Sequence, residues 1–310
     1  MFKKLFCFFI VIVVMPLLNN ALYGQKSTAI SNSEQIEFRH DNDFFLFTDR
    51  YYSSGLFLSY RKALSKGIFK ANNEQIDFTI NQEVYTPSQT ESTNSDLFDR
   101  TYAGFSGLKT SWSTAKENQL FRTEILLGIA GLNSGAGGLQ RAYHDFVGLS
   151  APLWVEELND SFHFNLYFNY VKEWKIAPNP FGTRIAFIPN IALGSRDIYV
   201  EPETALYFGN RKDVANSIAY NRIDTTSNEF YFALKASYRN VLYNGLIEGN
   251  LFGDDSAVLI DSRNSLWRFG FDLYRRSNSN DYKFGVRFNT RETEDSRNHQ
   301  FVQLSYGISF

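Results

Sequence analysis

The sequence predicts an all-β fold: a transmembrane antiparallel β-barrel of twelve strands behind a cleaved signal peptide. Three observations predict it. Aromatic residues make up 17% of the 310 residues (30 Phe, 18 Tyr and 4 Trp), yet the mean hydropathy is -0.29, too polar for a bundle of membrane helices and suited to a barrel with a greasy outside and a wet lumen. Segments that alternate apolar and polar residues with period two recur along the chain. Beyond the leader, no apolar run reaches the roughly 20 residues that a helical span needs, so a membrane location would be reached with strands.

The leader comes first. Lys3 and Lys4 give a positive start, residues 5–18 form an apolar run broken only by Pro16, and residues 19–24 are short and polar with a small residue at the end. This is the pattern of a secretory signal peptide over 1–24, cut before Gln25, and it leaves one barrel domain over 25–310. The run is short for an anchoring helix. Cys7, the single cysteine, leaves with the leader, so the mature chain relies on its hydrogen-bonded framework rather than on disulfides.

Strands are expected at 34–43, 54–62, 74–84, 102–113, 119–130, 161–174, 184–193, 197–209, 228–248, 264–275, 281–290 and 301–310. Alternation is clearest in the sixth, where Phe162, Phe164, Leu166, Phe168 and Tyr170 share one face and His163, Asn165, Tyr167 and Asn169 the other. Ile76, Phe78 and Ile80 oppose Asp77, Thr79 and Asn81, and Tyr282, Phe284, Val286 and Phe288 oppose Lys283, Gly285, Arg287 and Asn289. A soluble sandwich also alternates, so the even count carries more weight than any one strand. The chain ends on Val302, Leu304, Tyr306, Ile308 and Phe310, alternating apolar residues with a terminal aromatic, which resembles the C-terminal strand signal by which barrel assembly machinery recognises outer-membrane proteins. With the first strand starting on the periplasmic side, the connections 43–53, 84–102, 131–161, 193–198, 249–265 and 289–301 face outward. The inward connections 63–73 and 210–227 are longer than periplasmic turns usually are.

Charge narrows the function. The 31 Lys plus Arg against 33 Asp plus Glu give -2, and loss of Lys3 and Lys4 takes this to -4, which excludes a nucleic-acid binder. No GxSxG, HExxH, phosphate-cradling glycine loop or EF-hand spacing occurs. Of His40, His144, His163 and His299, the best placed general base is His144, in the longest outward connection, after the glycine-rich stretch 133–138 and within a segment 140–147 that reads as a short helix. The first outward connection concentrates Asp41, Asn42, Asp43, Thr48, Asp49 and Ser53, oxygen donors of the kind a hard cation prefers; a solvated polar loop has the same composition.

Several blocks together resemble the outer-membrane lipid A 3'-O-deacylase family of the LpxR type, over nearly the whole mature length. They are Asn42-Asp43, Thr48-Asp49-Arg50, Tyr51-Tyr52 with Ser53-Ser54-Gly55, Tyr85-Thr86-Pro87, Asp99-Arg100-Thr101-Tyr102-Ala103-Gly104, Gln140 with His144, and a degraded Pro152-Leu153-Trp154-Val155-Glu156-Glu157. The resemblance implies a calcium-dependent esterase acting on lipid A of lipopolysaccharide in the bacterial outer membrane, expected as a monomer. It implies His144 as the base that activates water, Asn42, Asp43 and Ser53 as catalytic partners, and Asp43 as a metal ligand. Ser53 stands where the family has Thr, Ser54 for Asn, Thr101 for Pro, Leu153 for Gly and Glu157 for Gln. The competing readings are a non-catalytic pore or structural barrel and an outer-membrane phospholipase.

Overall fold

The computed structural model describes residues 33–43, 48–69, 73–224 and 228–310; the leader lies outside them. Twelve strands close into one antiparallel barrel in which each strand pairs with its sequence neighbours and the first with the last. They are β1 (Glu34–Asn42), β2 (Tyr51–Ala63), β3 (Asn73–Thr86), β4 (Ala103–Lys116), β5 (Gln119–Ala130), β6 (Ser161–Ala177), β7 (Thr183–Gly194), β8 (Asp197–Asn210), β9 (Glu229–Asn244), β10 (Ser265–Ser277), β11 (Asn280–Asn289) and β12 (His299–Ser309). Closure runs through Gln35↔Ser309 to Asn42↔Val302, so no edge is left unpaired.

The period-two pattern sorts as expected. Phe38, Leu58, Ile80, Leu108, Phe162, Leu234 and Phe271 stand exposed on the outer face, a belt that only lipid satisfies. Their neighbours turn inward and pair by charge: Glu37 with Arg61 at 2.9 Å, Asp272 with Arg287 at 2.6 Å, and Glu201 with Arg239 at 2.7 Å. Among the described residues no helix is long and apolar enough to cross a membrane.

All twelve expected strands are present, with shifted ends. The ninth stops at Asn244, because Gly245–Glu248 turns into a short helix, α2, whose Leu246 N–H is capped by Asn244. In the third outward connection, helix α1 spans Ala136–Val147, one turn earlier than its expected start. The long inward connection after β8 is a real feature: it folds up into the lumen. Val214, Ile218 and Tyr220 pack with the lumen-facing Leu120, Val171, Tyr207 and Tyr231. Glu173 ties this plug to the wall, receiving Arg184 at 3.0 Å, Tyr220 Oη at 3.0 Å and the Arg211 guanidinium. Arg276 holds it by donating to the carbonyls of Asn216 and Arg222, at 2.8 and 2.6 Å. At the outer end, Thr101 Oγ1 donates to the carbonyl of Val258 at 3.0 Å, and Thr293 Oγ1 to that of Asp99 at 2.7 Å, drawing the loops across the mouth.

A barrel filled in this way should be electrically silent. Glu173→Ala takes the carboxylate from the buried Arg211 and leaves Arg184 only Asp213, at 3.2 Å, a loss on the order of 3–5 kcal/mol for a buried pair. The wild type should show no steps in planar bilayers and Glu173→Ala frequent openings; identical traces would contradict the plug.

Candidate functional site

The site is built on the outer side of the barrel wall, between β1–β3 and α1. On β1 the even positions face outward, so His40 and Asn42 follow Phe38 up the lipid-facing side. On β2 a register shift between Tyr52 and Ser54 inserts one extra residue, and Ser53 joins Ser54 on the outer face instead of alternating into the lumen. Tyr51 begins that strand with φ of 59°, a left-handed backbone held by its hydroxyl, which donates to Asp99 at 2.8 Å and accepts from the Arg297 N–H at 2.7 Å. The Asp43 N–H donates to the Ser53 carbonyl at 3.2 Å, fixing the two residues side by side.

Helix α1 lies close against this wall, and glycine makes the approach possible. A Cβ on Gly104 would stand 2.6 Å from Ala136 Cβ, and one on Gly137 would stand 2.9 Å from the Trp154 indole. The buried face of the helix carries Ala136, Gly137, Gln140 and His144, so the helix presents polar side chains to the wall. Trp154, at φ 55°, donates its indole N–H to Gln140 Oε1 at 2.7 Å. Gln140 Nε2 then donates to Ser53 Oγ at 3.1 Å and Asp49 Oδ1 at 3.3 Å, and Ser53 Oγ donates to Asp49 Oδ1 at 2.7 Å.

His144 completes the cluster. Its Nδ1 is 2.7 Å from the carbonyl of Ser150; a carbonyl only accepts, so Nδ1 carries the proton and the lone pair of the neutral ring is on Nε2. Nε2 lies 3.4 Å from Asp49 Oδ2. His40, Asn42, Asp43, Asp49, Ser53 and His144 line a cleft of about 190 Å³ whose other walls include Leu56, Val84, Leu139, Tyr143 and Leu149.

The four residues that the resemblance assigns to the site, His144, Asn42, Asp43 and Ser53, come from distant segments and line this one cleft on the outside of the wall. Gln140 and Trp154 are the residues that residue-type reasoning left without a role, and Asp49 was only one oxygen donor among several. Their signal was their place in the resembling blocks; their connection depends on the bulge and on the left-handed Trp154, which alternation does not reveal. Of the other histidines, His163 is held between Ser161 Oγ at 2.9 Å and the Ser195 carbonyl at 3.0 Å, and His299 accompanies the Tyr52 carbonyl at 3.0 Å.

Burial pushes the Asp43 carboxyl well above the usual carboxylate range; the nearby Asp49 charge adds to the rise, against the Arg50 N–H and Thr48 hydroxyl that donate to Asp43 Oδ2 at 2.9 and 2.8 Å. Burial likewise raises Asp49, opposed by the Ser53 hydroxyl and His144. Asp43 Oδ1 is buried and has no hydrogen-bond partner among the described residues. Two acids that disfavour each other, one with a bare buried oxygen and with a hydroxyl close by, make a donor set that fits a hard cation. No group of three or more His, Cys, Asp or Glu gathers at metal-binding spacing among the described residues. Remaining ligands would have to be neutral oxygens.

Behind α1, burial raises Glu157 to about 7, with Asp160 adding to the rise, while it accepts from the Gly104 N–H at 3.2 Å. A carboxyl raised in the folded state contributes stability below its unfolded value that is lost as pH climbs through about 7. Glu157→Gln keeps an acceptor for Gly104 and removes the charge. It should raise the free energy of unfolding at pH 8 by on the order of 1 kcal/mol after allowance for solvent, read as a higher urea midpoint, and change little at pH 4. An equal shift at both pH values would contradict this account.

The profile of the family described as "Outer membrane protein LpxR" matches residues 5–310. Among solved structures, LpxR from Salmonella typhimurium aligns at TM-score 0.73 and 18% identity, covering 89% of this chain and 100% of that one. The β domain of the Bordetella autotransporter Brka aligns at TM-score 0.42 and 8% identity, over 90% of this chain and 99% of that one. No curated protein is similar enough to match. The Salmonella likeness shows a shared fold, and the profile spans almost the entire sequence. This chain, a closed twelve-stranded barrel of the bacterial outer membrane, belongs to the LpxR outer membrane protein family.

Proposed function

We propose that this protein is a lipid A deacylase that hydrolyses the 3'-linked acyl ester in the outer leaflet, with His144 as general base and calcium as cofactor. The observation that carries the reading is the orientation of His144: Nδ1–H anchored on Ser150, which leaves Nε2, 3.4 Å from Asp49 Oδ2, as the proton acceptor in a cleft on the lipid side of the wall. An ester in the outer leaflet reaches such a cleft sideways from the membrane without entering the lumen.

His144 Nε2 takes a proton from water as the oxygen attacks the acyl carbonyl carbon. The Ser150 carbonyl stabilises the resulting imidazolium through Nδ1–H, and Asp49 Oδ2 adds its charge from 3.4 Å. Collapse of the tetrahedral intermediate breaks the bond to the sugar oxygen, which recovers the proton from Nε2 and leaves a free acid and a sugar hydroxyl. Gln140, fixed by Trp154, holds Ser53 and Asp49 in register for these steps. Asp43, Asp49 and Ser53 are the residues that would hold calcium, and when bound the ion supplies Lewis-acid stabilisation of carbonyl oxygen charge. Asn42 lines the same cleft as a further polar group for the ester.

The plugged lumen speaks against the pore reading. To separate lipid A from phospholipid as substrate, purified protein is incubated with both in mixed micelles with calcium. The expected products are a free fatty acid and lipid A short of one acyl chain; lysophospholipid with intact lipid A would overturn the assignment.

A further inference from the structure

The catalytic cleft continues down the membrane-facing wall. Leu56, which lines the cleft, also lines a trough of about 600 Å³ on the outside of the barrel. Its sides are Phe38 with Leu58 on one flank and Ile129 with Phe162 on the other, and its floor runs over Ile80 and Leu108. The floor dips where the outward residues become small: Ser106 follows Leu108 toward the outer end of β4. At that upper end the polar groups are bound inward. Ser106 Oγ donates to the Ser134 carbonyl at 2.7 Å, and Gln82 Nε2 to the same carbonyl at 3.0 Å, leaving an apolar surface below. From Ser54 in the cleft to Leu58 in the trough is four residues of β2, about 13 Å along the strand.

We infer that this trough is an acyl-binding subsite: it holds a long-chain fatty acyl group of the lipid whose ester lies in the cleft, and it selects that chain by length. The inference rests on the esterase reading for the ester, and on the trough itself for the chain. Continuity decides the occupant. The trough joins the cleft through Leu56 and lies along the strands of the lipid belt, in the direction an outer-leaflet chain takes from a headgroup-level ester. A carbohydrate or peptide would gain nothing from Ile80, Leu108 and Phe162, which are exposed and apolar.

Ile80→Trp and Leu108→Trp fill the floor, and Leu234→Trp makes the same change on the lipid-facing side of β9. Acting on lipid A of mixed 3'-acyl length, the two floor variants should release the longest chains more slowly by about 10-fold or more, the scale of steric discrimination in an apolar pocket, and the shortest at near wild-type rate. Leu234→Trp should keep the wild-type length profile. An unchanged profile in the floor variants, or the same change in Leu234→Trp, would overturn the subsite. An arm independent of catalysis is lipid A retained on the detergent-solubilised protein, read by native mass spectrometry. Retention of the longest-chain species by wild type and Leu234→Trp, but not by the floor variants, is expected; no retention by wild type, or equal retention by all, would also overturn it. A wild type that retains lipid A yet cleaves none would sink the esterase reading and leave the subsite standing.

Discussion

Replacing His144 with alanine is expected to slow lipid A deacylation by about 10²- to 10⁴-fold, the range set by loss of a positioned base. At 1.36 kcal/mol per tenfold, that is about 3–5 kcal/mol of transition-state stabilisation. The effect should fall on turnover more than on lipid binding, because Nε2 meets the attacking water and most of the lipid-binding surface is elsewhere. His144 is buried against the wall, so heat-modifiable mobility must show that the variant still forms a barrel. Folded His144→Ala with wild-type deacylation would remove the imidazole from the mechanism.

The second large effect is expected at Asp43. Asp43→Asn preserves shape and removes the charge, so a cation held there loses its most buried anionic ligand. A fall of about 10²- to 10³-fold in deacylation follows if charge stabilisation of the oxyanion is lost. A readout separate from activity comes from linkage, since an ion that binds only the folded state raises its stability. Calcium should raise the unfolding midpoint of the wild type and leave that of Asp43→Asn unchanged. An equal rise in both would place the cation elsewhere.

The barrel was legible in the sequence because outward positions meet lipid and inward positions meet polar partners, as Phe162 and Phe164 against His163 and Asn165 show on β6. Alternation fails where alternation is broken. The extra residue at Ser53 moves a hydroxyl from lumen to outer wall, and only the ladder register on β2 and β3 reveals it. The plug was equally hidden: Val214, Ile218 and Tyr220 show no period, and their burial depends on tyrosines from β8 and β9 that meet them only after closure. His144 was visible as a lone histidine in a long loop, but its tautomer depends on Ser150, six residues on. Asp49 was one acid among several. Its position between Ser53, Gln140 and His144 arises from tertiary packing of α1 against the wall.

The most direct measurement is the mass spectrum of lipid A from cells expressing this protein, with fragment ions that report which position has lost its chain. A loss equal to one acyl group at the 3' position, abolished by a calcium chelator, is the predicted result. Lipid A of unaltered mass from cells with correctly assembled barrel, in calcium and on a substrate bearing that ester, would contradict it.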